Sequence, residues 1–183
     1  MKILYWIIFG VAAIAQWAVP ATGIWQHEQT LAKGKLYKIN CTAPDPYDPL
    51  RGRYLAVRPA QSQVNVPPEM QLSGGMTVYG RMTVGDDGLA TIKSVEFVPP
   101  EDGESIELRV RYVNGGQANV EWPFDRLYLN QRVAPEADKW FAENVRTSEG
   151  VIAEVRVRNG RAVLADLSLN GKPFRELLKE RVE

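Results

Sequence analysis

The hydrophobic pattern opens with one uninterrupted apolar run. Residues 3–25 (ILYWIIFGVAAIAQWAVPATGIW) carry a single strongly polar side chain, Gln16. A helix of about 20 apolar residues crosses the hydrocarbon core of a bilayer. Trp6 and Trp25 lie near the two ends of the run, where indole rings favour the membrane interface. The pattern therefore predicts a transmembrane signal-anchor helix over residues 1–25.

A cleaved signal peptide is the alternative interpretation, because Val19-Pro20-Ala21 places small residues at a cleavage-site spacing. Retention is favoured, since the apolar run continues past that site to Trp25. The usual layout for such an anchor places the long carboxyl side outside the cytoplasm. The lysine count opposes this layout, but the following lysines begin eight residues beyond Trp25, at the limit of the positive-inside rule. We expect the bacterial inner (cytoplasmic) membrane, with the soluble domain on the extracytoplasmic side.

The rest of the chain divides into a short linker and one domain. Residues 26–34 are predicted to be a juxtamembrane linker that continues the helix for two turns and ends at Gly34. Residues 35–183 are predicted to form a single extracytoplasmic β-rich domain. Its first two strands are expected over residues 35–41 and 53–57, and a surface loop rich in Pro, Gln, Ser and Gly over residues 59–75.

Turn residues between alternating runs predict two β-hairpins. Residues 76–84 and 89–98 flank GDDG, and residues 151–158 and 161–169 flank Asn159-Gly160, which favours a two-residue type I′ turn. Between the hairpins, residues 105–113 alternate so that one side carries Ile106, Leu108, Val110 and Tyr112.

A single soluble helix is predicted over residues 134–147. Pro135 suits its first turn, and Trp140 and Phe141 contribute an apolar side. The predicted fold class is therefore mostly β (α+β): an N-terminal transmembrane helix followed by an antiparallel β-rich domain with one packed α-helix.

Composition excludes several classes of function. The 22 basic and 22 acidic residues balance, so nucleic acid is not an expected partner. The only histidine, His27, lies just beyond the apolar run, where a catalytic triad or a histidine-rich metal site is implausible. The single cysteine, Cys41, is expected to be a small buried strand residue. No catalytic residue, cofactor site or metal site is predicted.

Residues 44–54 (PDPYDPLRGRY) concentrate turn residues and charge directly before the second strand. Proline fixes its own φ and keeps the residue before it extended, so a rigid loop is predicted at the edge of the domain. Guanidinium forks and an aromatic ring suit recognition of carboxylates or of a partner strand. The predicted partner-docking residues of this loop are Asp45, Asp48, Arg51, Gly52, Arg53 and Tyr54.

Two other interpretations of this loop stay open. The aspartates of Asp-Pro turns bond their own backbone, and Arg51 is placed to pair with Asp48 or Asp125 and so close the fold. Alternatively, Asp45 and Asp48 form a carboxylate pair for acid–base chemistry or for binding a cation.

The segment DPYDPLRGRYLAV resembles the signature of the GDYXXLXY family of bacterial membrane-anchored proteins. The resemblance extends to FDRLYLN and to AEVRVRNGRAVLADLSLNGKP, and so covers roughly the whole chain. Of the named pattern, Gly52 and Tyr54 are retained, whereas the family's Asp is Arg53 here, its Leu is Val57 and its last Tyr is Pro59. The resemblance implies a membrane-anchored protein without an established activity that associates with other integral membrane proteins.

These observations together predict a single-pass membrane-anchored envelope protein. Its expected role is that of a non-catalytic interaction module that assembles with integral membrane proteins. The alternative is a hydrolase or ligand-binding enzyme that uses Asp45, Asp48 and Arg51.

Overall fold

A computed structural model describes residues 2–42, 54–100, 105–128, 151–169, 171–174 and 176. These residues form one long helix followed by antiparallel strands. The elements are α1 (Lys2–Lys33), β1 (Lys35–Thr42), β2 (Tyr54–Ala56), β3 (Arg58–Pro59), β4 (Gln63–Asn65), β5 (Thr77–Val84), β6 (Ala90–Glu96), β7 (Ser105–Asn114), β8 (Gln117–Glu121), β9 (Arg126–Tyr128), β10 (Val151–Arg158), β11 (Arg161–Leu169) and β12 (Lys172–Pro173).

The strands form three sheets, which we name by their position or shape. The helix-side sheet has the order β12-β11-β10-β1-β3, and the curled sheet has the order β4-β8-β7-β5-β6. A two-stranded ribbon pairs β2 with β9. An N-terminal apolar helix followed by antiparallel sheets confirms the predicted mostly β class. The soluble helix predicted over residues 134–147 lies outside the described residues.

Helix α1 contains the whole apolar run and two further turns. Large apolar side chains from Ile3 to Trp25 are exposed along it, and the helix is long and apolar enough to cross a membrane. Pro20 lies inside the helix, as membrane helices tolerate. The helix ends as predicted, because Gly34 N donates to Thr30 O at 2.8 Å.

The last two turns of α1 pack against the helix-side sheet. Thr30 is only 2% exposed, Arg156 Nη1 donates to Gly34 O at 3.0 Å, and Arg158 Nη1 donates to Gln29 Oε1 at 3.3 Å. A side chain at position 34 would meet Arg156 Cβ and Val157 N at 3.1 Å each, so the absence of a Cβ at Gly34 permits this close approach. The last two turns of the helix are therefore packed directly on the β domain.

The hairpin predicted at Asn159-Gly160 is confirmed. Arg158 pairs with Arg161 across the turn, and Asn159 and Gly160 have φ of 50° and 78°, which a type I′ turn requires. The alternating residues of β10 from Val151 to Val157 are buried and face the core. β10 also pairs along β1, from Lys35↔Val157 to Cys41↔Val151. Glu107 N donates to Gly160 O at 2.7 Å and so ties this turn to the curled sheet.

The two edge strands of the curled sheet are joined by the side chain of Gln61. These edge strands, β4 and β6, lie against each other. Gln61, just before β4, receives a hydrogen bond from Ile92 N at 2.7 Å through Oε1 and donates one to Ile92 O at 2.9 Å through Nε2. Trp122 Nε1 donates to Gln61 O at 2.7 Å. The Gln61 amide thus occupies the place of a neighbouring strand at Ile92.

Two details of the predicted strand pattern are wrong. Tyr112 does not share the buried side of Ile106 and Leu108 but is 55% exposed. The pairing of β7 with β8 shifts between Val110 and Tyr112, and such a bulge turns the following side chains to the opposite face. Residues 59–75 are not loop throughout, because they include β4, whose Val64 is 3% exposed and belongs to the core.

Candidate functional site

The residues predicted for docking fall almost entirely outside the described part of the chain. Asp45, Asp48, Arg51, Gly52 and Arg53 lie in residues 43–53, and their roles stay predictions. Tyr54 is described through its backbone, which begins β2 and pairs with Tyr128 of β9.

The described flanks of that segment place its ends on the domain. Thr42 at the end of β1 pairs with Arg58 of β3, and Thr42 Oγ1 donates to Arg58 O at 3.3 Å. β1 leaves the end of α1 and runs for eight residues, a length of roughly 26 Å at about 3.3 Å per residue. Both ends of the segment therefore lie at the end of the domain far from α1, whereas the turn at Gly160 lies at the near end.

A groove begins beside β2 and β3 and extends between them and strands β7 and β8. Its volume is about 1020 Å³. Trp122 and Phe124 line it, are 7% exposed each, and meet edge to face with ring centroids 5.7 Å apart. Both rings are therefore part of the hydrophobic core. We call this site the β3–β7 groove.

Charged side chains line the β3–β7 groove, with four arginines and three carboxylates. Arg58, Arg109, Arg111 and Arg126 line it together with Glu107, Glu121 and Asp125. Two of the arginines are paired: Arg111 Nη2 lies 3.3 Å from Glu121 Oε1, and Arg126 Nε lies 3.2 Å from Asp125 Oδ2.

Arg58 and Arg109 are exposed and, unlike the other two arginines, form no ion pair within the described residues. Guanidinium groups bind carboxylates through paired hydrogen bonds. The groove is therefore suited to an acidic group or an acidic extended segment. The alternation of β7 places Arg109 on the side opposite Leu108 and Val110, but nothing local in the sequence indicates that β3 lies across a groove from it.

Of the two partners predicted for Arg51, Asp48 lies outside the described residues and Asp125 forms other contacts. Asp125 pairs with the adjacent Arg126, and its backbone carbonyl accepts a hydrogen bond from Val57 N at 2.9 Å. Asp125 thus helps to hold the chain where β2 passes into β3, at the rim of the β3–β7 groove.

The described residues offer little for covalent or metal chemistry. Cys41 is 2% exposed, and its burial raises the pKa of the thiol to about 12, against a smaller lowering by a backbone hydrogen bond at Ala153. A thiol with that pKa is a poor nucleophile. Over the part of the chain that the structure describes, no three His, Cys, Asp or Glu side chains are grouped to hold a metal ion.

The fold and groove define a class of protein: an antiparallel β domain packed against the end of an apolar N-terminal helix, with a groove lined by arginines and carboxylates. A family model described as GDYXXLXY protein matches residues 16–167. The chain therefore belongs to the GDYXXLXY family. No curated protein and no solved structure matches it.

Proposed function

We propose that this protein is a single-pass, non-catalytic interaction module of the bacterial inner membrane. In this proposal α1 is retained as a signal anchor and the β domain lies on the extracytoplasmic side. The exposed apolar side chains of α1 support retention, because burying about 20 such residues in lipid is strongly favourable. The docking of Thr30 and Gly34 on the domain means that a retained helix would hold the domain close to the membrane.

The proposed partner is an integral membrane protein with an acidic extended segment outside the membrane. The observation that carries this proposal is the β3–β7 groove, where Arg58 and Arg109 are exposed without an ion pair among the described residues. Thr42 and Tyr54, which flank the predicted docking loop in sequence, lie at the end of the domain where β2 and β3 border the groove. Since that end lies roughly 26 Å beyond the end of α1 (eight residues at about 3.3 Å), the partner must project well clear of the bilayer.

A ligand-binding or hydrolytic function is the second candidate, and the size of the groove favours it. Small-molecule sites have volumes of about 300–1,000 Å³, and the groove has about 1020 Å³. In this alternative Asp45 and Asp48 supply the acid–base groups, and Arg51 orients the ligand. The charged lining fits a carboxylate or phosphate ligand better than an apolar one.

Crosslinking and pulldown from membranes test the docking proposal. We expect Arg58→Ala/Arg109→Ala to reduce recovery of the crosslinked membrane partner several-fold while leaving the thermal midpoint nearly unchanged, because both side chains are exposed. Arg53→Ala in the predicted loop should act in the same direction. Lys93→Ala is the control, since Lys93 is an exposed cation of β6 outside the groove. Recovery that is equal for the double variant and for Lys93→Ala would contradict the proposal.

A further inference from the structure

A second cavity lies where α1 meets the β domain. Gly23, His27 and Thr30 line it from the helix, and their spacing of four and three residues puts them on one helix face. Glu107 and Arg161 line it from the domain, and its volume is about 360 Å³. We call this cavity the interfacial notch.

The depth of the notch follows from the length of the helix. From Ile3 to Gly23 the helix advances 20 residues, or about 30 Å at 1.5 Å per residue, which equals the thickness of the hydrocarbon core. If the apolar run spans the bilayer, Gly23 lies at the edge of the hydrocarbon and His27 lies one turn further out. The notch then lies at the depth of the lipid headgroups.

The charged groups of the notch match a zwitterionic headgroup. Arg161 and Glu107 are both exposed, and within the described residues neither side chain forms a hydrogen bond or an ion pair, including with the other. The bond from Glu107 N to Gly160 O at 2.7 Å holds Glu107 beside the turn that precedes Arg161. Guanidinium binds phosphate in a bidentate manner, and a carboxylate binds ammonium.

We propose that the interfacial notch binds the headgroup of an aminophospholipid such as phosphatidylethanolamine. Arg161 contacts the phosphate, with His27 as a further polar contact, and Glu107 contacts the ammonium. Its volume is within the range of small-molecule sites, near the lower limit. This inference rests on the proposed retention of α1 in the membrane. It adds a lipid ligand, which is distinct from the protein partner assigned to the β3–β7 groove, although Glu107 and Pro123 line both cavities.

Gly23 lines the notch, so a larger residue at this position would occupy part of it. A Cβ built at Gly23 meets nothing within 4 Å, and the same holds at Gly10 in the middle of the apolar run. Gly23→Leu therefore places an apolar side chain at the notch without a clash at Cβ. Gly10→Leu is the matched control, because it makes the same change in the same helix away from the notch.

Native mass spectrometry of the full-length protein released from lipid nanodiscs measures the retained lipid. With equal amounts of phosphatidylethanolamine and phosphatidylglycerol in the disc, we expect wild type to retain one phosphatidylethanolamine in preference to phosphatidylglycerol. Arg161→Ala should reduce that occupancy about tenfold, because it removes a charge-assisted contact. Gly23→Leu should reduce it by a similar factor, because its side chain takes up space that the headgroup needs. Gly10→Leu and Lys93→Ala, which removes an exposed cation that lines neither cavity, should retain the lipid as wild type does.

Equal retention of the two lipids would overturn the role of Glu107, and with it the proposed aminophospholipid specificity. Undiminished retention by Gly23→Leu would overturn the location. Resistance of wild type to alkaline extraction from membranes tests the anchor separately. If the wild type resists extraction but retains the two lipids equally, or if Gly23→Leu retains the lipid undiminished, the notch proposal alone is refuted. A wild type that is extracted or cleaved refutes the proposed retention of α1 itself.

Discussion

Replacement of Gln61 should weaken the curled sheet at the point where its two edges meet. The Gln61 side chain forms hydrogen bonds of 2.7 and 2.9 Å with the N–H and C=O of Ile92. In Gln61→Ala both backbone groups lose their partner. A buried group left without a partner costs about 1–3 kcal/mol, but Gln61 is only half-buried, so water compensates in part. We therefore expect a loss of about 2 kcal/mol in the free energy of unfolding.

For a chain of this size, about 2 kcal/mol corresponds to a fall of roughly 4–8 °C in the thermal midpoint. Circular dichroism of the full-length protein in detergent measures it. Gln117→Ala is the matched control, because Gln117 is exposed and forms one long bond of 3.3 Å to Asn65; its effect should stay within about 0.5 kcal/mol. Gln61→Glu should not recover stability, since it places a carboxylate oxygen against Ile92 O. Equal midpoints for Gln61→Ala and Gln117→Ala would refute the role assigned to this side chain.

Two further predictions concern the turn at Gly160 and the buried thiol. Gly160→Ala should destabilise the protein by about 1–3 kcal/mol in chemical denaturation, because the residue has a positive φ. The loss should exceed that of Gly88→Ala, which also has a positive φ, because only at position 160 would the new Cβ lie 3.3 Å from the Tyr79 ring. Equal losses for the two variants would contradict this. Because burial raises the Cys41 pKa from 9.0 to about 12, the folded state keeps a proton that the unfolded chain releases, so stability should fall as pH rises through that range. Cys41→Ala should reduce the slope of the free energy of unfolding against pH by up to about 1.4 kcal/mol per pH unit in urea titrations. An unchanged slope would show that the thiol is not desolvated in the folded state.

Local chemistry allowed much of the fold to be predicted from sequence. The Asn159-Gly160 turn, the GDDG turn and the end of α1 at Gly34 each depend on a few adjacent residues, and all three lie where they were predicted. Period-two alternation identified the buried side of β7 up to Val110. It failed at Tyr112 because one extra residue in the strand reverses the side on which later residues lie.

The sites were much less predictable, because they depend on pairing between distant segments. β1 pairs with β10 more than a hundred residues later, and only this pairing brings α1 beside the Gly160 turn to form the interfacial notch. Likewise, Arg58 and Arg109 lie on strands far apart in sequence, and they line one groove because β3 pairs with β1 while β7 belongs to the curled sheet. No property of either residue alone indicates that the two line the same groove.

Cysteine labelling of the full-length protein tests most directly the claim that the β domain is held outside the cytoplasm by an uncleaved α1. Cys41 is buried with a raised pKa and gives little background, so a single exposed cysteine introduced as Asp86→Cys reports its own accessibility. We predict that a membrane-impermeant maleimide labels Asp86→Cys in intact spheroplasts, and that the labelled protein has the full-length mass and stays with the membranes after alkaline extraction. Labelling only after lysis, or labelling of a shortened soluble protein, would contradict the account.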